Sequence, residues 1–420
     1  MPPTNSLWHA QQRASKESNE NTKKQYICPA ETTPHRATIL GFPSRCSTLP
    51  GLYKRTCNEI VDLAGTIAVF EPVRLHVRPE DQARAQTLVN QRLQASSDAD
   101  KNRQQGRISL VPCATNHCWV RDTGPVYVRG ADDQQRYAVD FGFCEWGNKT
   151  DEWIYGGSAE TKTKTASKTE SETPDDWPEM DESSRRENAV FASRALELEN
   201  AADPTNPVTR VQAAIRLEGG GLEFDGEGTF MATESSIVEA GRNGGLSRAN
   251  CEAELRRLLG IEKFIWFPGR LGLDITDCHV DAEARFVRPG VVVLNRPRGS
   301  ASSESADPVY WEMYNEMRSI LESSTDARGR RFEIHDVEEP DLALVKGTLA
   351  HEEEAPAASY VNFYFVNGGL VIPAFGDPVA DRNALEVLQK LLPDREIRQV
   401  AVNALPRTGG VLHCVTQQVL

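Results

Sequence analysis

The sequence predicts an α/β fold of five ββαβ modules arranged pseudo-symmetrically around an axis, a propeller rather than a doubly wound sheet. Three observations carry this reading. Short strand-like runs recur in pairs with a Gly-containing turn between them. One helix-like run follows each pair, and a further strand follows each helix. The pattern then repeats along most of the 420 residues, and a repeat decides architecture more firmly than any single motif.

The first module, His35 to Arg78, offers ATILGFP (37–43), a helix near Tyr53 to Leu63, and VRLHVR (73–78), and fits the scheme less well. The second shows a hairpin, GPVYVRGADDQQRYAVDFGF (124–143), whose helix must lie beyond a polar insertion. The third is clearer: LEFDGEGTFMATESSIV (222–238), a helix over Ser247 to Leu259, and KFIWFP. The fourth reads ARFVRPGVVVLNRP, a helix over Pro308 to Ser323, and RFEIHDV, with Trp311, Tyr314 and Ile320 sharing a helix face. The fifth reads NFYFVNGGLVIPAF, a helix over Asp381 to Leu392, and EIRQVAV. In that helix Ala384, Leu385, Leu388, Leu391 and Leu392 recur on one face, Asp381 caps the start and Pro393 stops it. A plain α+β domain with chance alternation is the competing explanation.

Four polar segments fall outside this scheme. Residues 1–25 read as a disordered tail, and 26–420 as a single domain. Ser96 to Arg107 reads as a charged turn and Gly299 to Asp307 as a small loop. The stretch at about 157–188 is rich in Ser, Thr, Glu and Lys, and reads as a disordered insertion because it has too little apolar surface to offset chain entropy.

Composition narrows the function. Lys and Arg number 47 against 61 Asp and Glu, a net charge of −14, which disfavours nucleic acid and suits a cationic substrate or simple solubility. The nine cysteines include no CxxC pair, so reduced thiols are expected. The N-terminus has no apolar h-region and no run approaches the ~18 to 20 apolar residues of a membrane span. A cytoplasmic protein without membrane partners is expected, and a homo-oligomer is compatible with the sequence.

Four stretches place reactive residues beside glycines at module edges: CWVRDTGPVYV (118–128), LEGGGLEFDGEG (217–228), DITDCHVDAEARFVRPG (274–290) and TGGVLHCVTQQ (408–418). A ring would bring them together on loops of a rigid scaffold. On a strand, His279 and Asp281 would share a face with Val280 on the other; a structural His–Asp pair is the ordinary alternative. For Asp122 the alternative is an ion pair with Arg121 or a turn cap. Glu218 opens three glycines that either admit a close neighbour or only form a turn. Most of the cysteines are read as buried apolar residues, and His413, if extended, would point away from Cys414.

Together these segments resemble the agmatine deiminase family, which shares its domain with bacterial peptidyl-arginine deiminases. The resemblance runs from PAETTPHRATILGFP (29–43) to the C-terminus. It rests on WVRDTGP, LEGGGLEFDGEGT, HVDAEARFVRPG, SYVNFYFVNGGLVIPAFGDP (359–378) and GGVLHCVTQQ. It implies the guanidine-modifying five-module propeller, with Cys414 as nucleophile, His279 as general acid and base, and Asp122 and Asp281 as carboxylates for the substrate. Glu218 matches the acidic residue opening the family's EGG segment, and would orient His279. The implied reaction is hydrolytic deimination of a small guanidine, agmatine foremost, through a covalent thiouronium on Cys414, with no metal and no cofactor. Carboxylates suit a guanidinium, which is planar, always protonated and donates paired N–H bonds.

Trp119, Trp146 and Glu145 flank Asp122 and are candidate walls for the substrate's tail, core packing and a solvent contact being their ordinary roles. The sequence departs from the family at Phe42, Glu145, Cys278 and Thr408, where Trp, a small residue, Gly and Gly are usual. Other readings are an arginine or peptidyl-arginine deiminase, an amidinotransferase, or a non-catalytic guanidine-binding relative. The absence of a signal sequence and of an extra C-terminal domain favours agmatine over peptides.

Overall fold

A computed structural model describes residues 26–49, 51–149, 180–302, 307–345 and 356–420. Its strands begin with β1 (Tyr26–Ile27), β2 (Ala37–Gly41), β3 (Val73–Val77) and β4 (Ile108–Pro112). Next come β5 (Val126–Gly130), β6 (Arg136–Asp140), β7 (Thr209–Gln212), β8 (Glu223–Phe224), β9 (Thr229–Thr233) and β10 (Lys263–Phe267). The C-terminal part holds β11 (Ala284–Arg288), β12 (Val291–Arg296), β13 (Glu333–Glu338), β14 (Tyr364–Val366), β15 (Gly369–Ala374), β16 (Glu396–Ala401) and β17 (Thr416–Val419).

These strands form five separate sheets with one shared logic. An antiparallel pair is followed by a helix and then a parallel strand: β8–β9–β10, β11–β12–β13, β14–β15–β16, and β5–β6–β7 with β1 added at the edge. The remaining sheet explains why the first module fits the scheme less well. Its antiparallel partner is β17, which pairs with β2 from Val419 opposite Ala37 to Thr416 opposite Leu40. Strands from the N- and C-terminal parts of the chain therefore share one sheet, and Cys414 is anchored two residues before β17. Neighbouring units touch in order and close on themselves: β17 with β5, β1 with helix Arg248–Leu259, β8 with β11, β13 with helix Pro378–Leu391, and β16 with helix Tyr53–Ile67.

Local signals account for the elements. Helix Arg248–Leu259 starts on a capping box between Ser247 and Asn250 and stops at Gly260, φ 71°. Strand β12 is buried at Val291, Val292, Val293, Leu294 and Asn295, as expected of a central strand covered on both faces.

Three sequence expectations are corrected. Residues 98–104 form a short helix capped by Ser97, because the charged turn carries a cap and two acids in its first turn. Asp377, not Asp381, caps the last helix, leaving the Asp381 carboxylate to accept from Tyr360 Oη and Phe375 N. Of the expected insertion, 157–179 lie outside the described residues, as does the 1–25 tail. Its final part is ordered: Glu182–Ala189 is a helix capped by Asp181, and Asn188 is buried.

Candidate active site

CWVRDTGP folds into a single helical turn, Val120–Thr123, closed by the Gly124 N–H on Val120 O. This presents Asp122 inward, 6% exposed. Its Oδ2 accepts the indole N–H of Trp146 at 2.9 Å and its Oδ1 accepts Gly220 N–H at 3.1 Å. Arg121 turns the other way, toward Glu31 and Gln418, so the Arg121–Asp122 pair considered from sequence does not form.

The glycine triplet is there for close approach. None of Gly219, Gly220 or Gly221 is among the positive-φ residues. A Cβ on Gly219 would stand 2.3 Å from Arg121 O. One on Gly220 would stand 2.6 Å from His279 Nδ1, 3.0 Å from Asp122 Oδ1 and 3.1 Å from Asp281 Oδ2. Gly220 thus marks the point where three of the sequence-selected side chains converge.

His279 and Asp281 do not lie on a strand. His279 precedes a 3₁₀ turn, Val280–Ala282. Val280 enters the apolar core, while both polar side chains still face Gly220. His279 Nε2 is 3.2 Å from Glu218 Oε2, and its Nδ1 is 3.7 Å from Asp122 Oδ1. Glu218 is held by Arg242, whose Nε donates to both carboxylate oxygens at 3.0 and 2.8 Å. The same guanidinium reaches Asp277 Oδ2 at 2.7 Å and Thr276 O at 2.9 Å, so this buried cation is fully paired.

Cys414 sits in a turn before β17, not on a strand, and this changes the place of His413. His413 Nδ1 is 2.7 Å from Asp281 Oδ2, and Cys414 Sγ is 3.6 Å from the same oxygen. Asn362 ties the turn down: its Oδ1 accepts His413 N–H at 2.9 Å and its Nδ2 lies 3.3 Å from Cys414 Sγ. Two buried atoms here have no hydrogen-bond partner, His279 Nδ1 and Asp281 Oδ1. One is a donor when the ring is charged and the other an acceptor.

Charge is balanced by coupling. Burial pushes the Asp122 pKa up to about 6, Glu218 and Asp281 adding to this and His279 opposing it. Burial alone would lower His279, but Asp122 and Glu218 raise it to about 8. Burial favours neutral Glu218 and Asp281, yet Arg242 with His279, and His413 with His279, hold them below the usual carboxylate range. At neutral pH the site therefore holds ionised carboxylates and a charged His279.

Burial, Asp281 and Asp122 push the Cys414 thiol well above its ordinary value. A thiol whose pKa is 9 or more is about 1% thiolate or less at pH 7. Alkylation of the free enzyme by iodoacetamide at Cys414 should accordingly keep accelerating as pH rises past about 9. A rate that levels off below about pH 8 would show a preformed thiolate and refute this.

Trp119 packs in the main core, and its ring and Cys414 crowd Gly410, where a Cβ would lie 2.8 Å from Trp119 and 3.0 Å from Sγ. Trp146 is buried, with its polar edge spent on Asp122. Glu145 is also buried; His117 Nε2 at 3.0 Å and Asn188 Nδ2 at 2.8 Å take its two oxygens. It makes neither the open wall nor the solvent contact considered from sequence. Cys278 has φ 67°, which accounts physically for a glycine preference there. Glu31, Arg242, Asn362 and His413 were not selected from sequence. Glu31 and Asn362 stand in the quoted segments PAETTPH and SYVNFYF, which was their only signal. Arg242 had none.

Among known proteins, the agmatine deiminase of Ectopseudomonas mendocina is 33% identical over 402 residues, spanning 93% of this chain and 94% of the relative. That of Stutzerimonas stutzeri is 31% identical over 405 residues, 94% of this chain and 95% of the relative. The sequence profile of the Porphyromonas-type peptidyl-arginine deiminases matches residues 27–419. The chain belongs to this family. The fold agrees with that of the family's solved structures. The agmatine deiminase of Enterococcus faecalis superposes with a TM-score of 0.73 at 24% identity, covering 96% of this chain and 99% of the other. That of C. jejuni gives 0.68 at 21%, covering 95% and 98%. The expected mixed α/β, guanidine-modifying fold is therefore the observed one. Among the described residues no helix is long and apolar enough to cross a membrane.

Proposed function

We propose that this chain hydrolyses agmatine to N-carbamoylputrescine and ammonia. The observation that carries the reading is the convergence at Gly220 of two buried carboxylates and a charged imidazole, with Cys414 Sγ against one of the carboxylates. Asp122 and Asp281 take the N–H groups of the guanidinium, using Asp281 Oδ1, which is otherwise without a partner. The bound cation lowers the Cys414 pKa, so the thiol gives its proton to solvent and the nucleophile forms when substrate is in place. The thiolate attacks the central carbon, and the C–N bond to one NH₂ group breaks as His279 delivers its proton to departing ammonia. A water then adds to the thiouronium carbon while neutral His279 removes one of its protons, and the C–S bond breaks to restore the thiolate as the remaining hydroxyl proton passes to solvent, leaving the urea carbonyl. Glu218, fixed by Arg242, keeps His279 charged and oriented.

The reacting partner is thus a small cationic guanidine, with the cytoplasm the compartment expected. Agmatine is favoured by the curated relatives' activity and by this chain's acidic balance. We expect kcat/KM for agmatine to exceed that for free arginine and for a blocked arginine peptide by at least about a hundredfold. Ammonia release measured for all three, with and without an added amine acceptor, tests this. A peptide used better than agmatine would overturn the substrate, and acceptor-dependent amidine transfer would overturn the hydrolysis.

A further inference from the structure

The roles just given leave Glu31 and His413 unused, although both stand directly behind Asp281. His413 is 1% exposed. Its Nδ1 contacts Asp281 Oδ2 at 2.7 Å and its Nε2 contacts Glu31 Oε2 at 2.8 Å. Ionised carboxylates only accept, and a neutral imidazole donates from one nitrogen alone. Both contacts are favourable only when the trio holds one proton more than two carboxylates and a neutral ring would. Glu31 is kept as the carboxylate end: Arg285 Nη2 lies 3.2 Å and Arg121 Nη2 3.4 Å from the same oxygen, and Phe365 N–H donates to the other at 2.9 Å.

The consequence falls on Asp281. With Oδ2 held by His413, the carboxylate cannot rotate, and Oδ1 is left as its free, buried acceptor. Asn362 fixes the His413 backbone from the other side. A narrow cavity beside this trio is lined in part by Glu31, Arg121, Glu223 and His413. We propose that His413, steadied by Glu31, is the positioning residue of Asp281, locking one carboxylate oxygen so that the other faces the guanidinium. The direction in which Oδ1 acts rests on the deiminase reading; the clamp itself does not. Burial, with Arg121 and Arg285, pushes the His413 pKa down while Glu31 and Asp281 oppose that, so the clamp slackens as pH rises.

Glu31→Gln tests the clamp, since Gln keeps the shape and loses the charge that favours the second imidazole proton. In the full chain its kcat/KM for agmatine should fall by roughly tenfold to a hundredfold, mostly through KM, in the mildly acid range where the wild-type ring still holds its second proton. The ratio of variant to wild type should recover toward one as pH is lowered, because protons restore the imidazolium. A structural lesion would give a ratio that does not change with pH, and that result, or wild-type kinetics, overturns the proposal. Should the variant fail to fold, ¹⁵N-histidine NMR of the wild-type enzyme decides without any substrate. Both His413 ring nitrogens should be protonated at the acid end of the activity profile, one proton leaving as pH rises. A ring carrying a single proton throughout would overturn the clamp even if agmatine is turned over.

Discussion

Cys414→Ala should abolish ammonia release from agmatine, lowering turnover by at least about 10⁴-fold, while the protein folds as before. The sulfur is the only proposed nucleophile, touching the carboxylate that is proposed to bind the guanidinium. Its own contacts, with Asn362 and Asp281 at 3.3 to 3.6 Å, are weak sulfur hydrogen bonds, and the Cβ packed beneath Gly410 stays. A stability change within about 1 kcal/mol is expected. Cys278→Ala is the matched control. Cys278 is buried, bonds only Arg270 O through sulfur at 3.3 Å, and a methyl group tolerates its φ of 67° no worse than the thiol does. It should keep most of the activity. Turnover in the Cys414 variant near the wild-type rate, with thermal midpoint unchanged, would remove covalent catalysis at this residue.

Much of the fold was legible because the last three ββαβ units each write their alternation, turn glycine and helix in one contiguous stretch, Glu223–Phe267, Ala284–Glu338 and Tyr364–Ala401. The first unit read poorly for a physical reason: its hairpin strand, β17, comes from the opposite end of the chain. No local pattern can announce a pairing across almost the entire sequence. The helix at 98–104 was missed because its signal is capping and charge rather than apolar periodicity. The helix at 182–189 was missed because it is polar nearly all round and is placed by polar contacts, Asn188 with Glu145, Glu187 with Arg78 and Asn116, and Ser184 O with Asn116.

At the site, residues adjacent to glycine runs were recognisable, since close backbone approach leaves a compositional mark. Those that hold them were not. Arg242 acts through all three guanidinium nitrogens on partners in three segments, Glu218, Glu239 and Thr276 with Asp277, and only the folded chain brings these together. On an extended strand His413 would point away from Cys414. The turn rotates its ring onto Asp281 instead. Glu145 was assigned by proximity to Asp122 in sequence, yet one residue further on it is Trp146 that bonds Asp122.

Gly220→Ala should lower kcat/KM by about a hundredfold or more, through both KM and kcat, although no functional group is removed. The added Cβ would stand 2.6 Å from His279 Nδ1, 3.0 Å from Asp122 Oδ1 and 3.1 Å from Asp281 Oδ2. None of these atoms can yield cheaply. His279 is held through Nε2 by Glu218, Asp122 by the Trp146 indole, and Asp281 by His413. The methyl also covers the unpartnered His279 Nδ1, where the departing nitrogen must receive its proton. Overpacking of this kind costs roughly 1 to 3 kcal/mol of stability, too little to unfold most domains. Gly221→Ala supplies the comparison, for it too lacks a positive φ. Its Cβ would find nothing closer than Ser236 Oγ at 3.4 Å and His279 Cδ2 at 3.6 Å, ordinary contacts. The two variants change backbone entropy alike and differ in what the methyl meets. Kinetics and melting curves should therefore separate them: Gly220→Ala impaired out of proportion to its stability, Gly221→Ala close to wild type. Equal losses in both, or normal turnover in Gly220→Ala, would mean that the reacting carbon does not sit where His279, Asp122 and Asp281 converge.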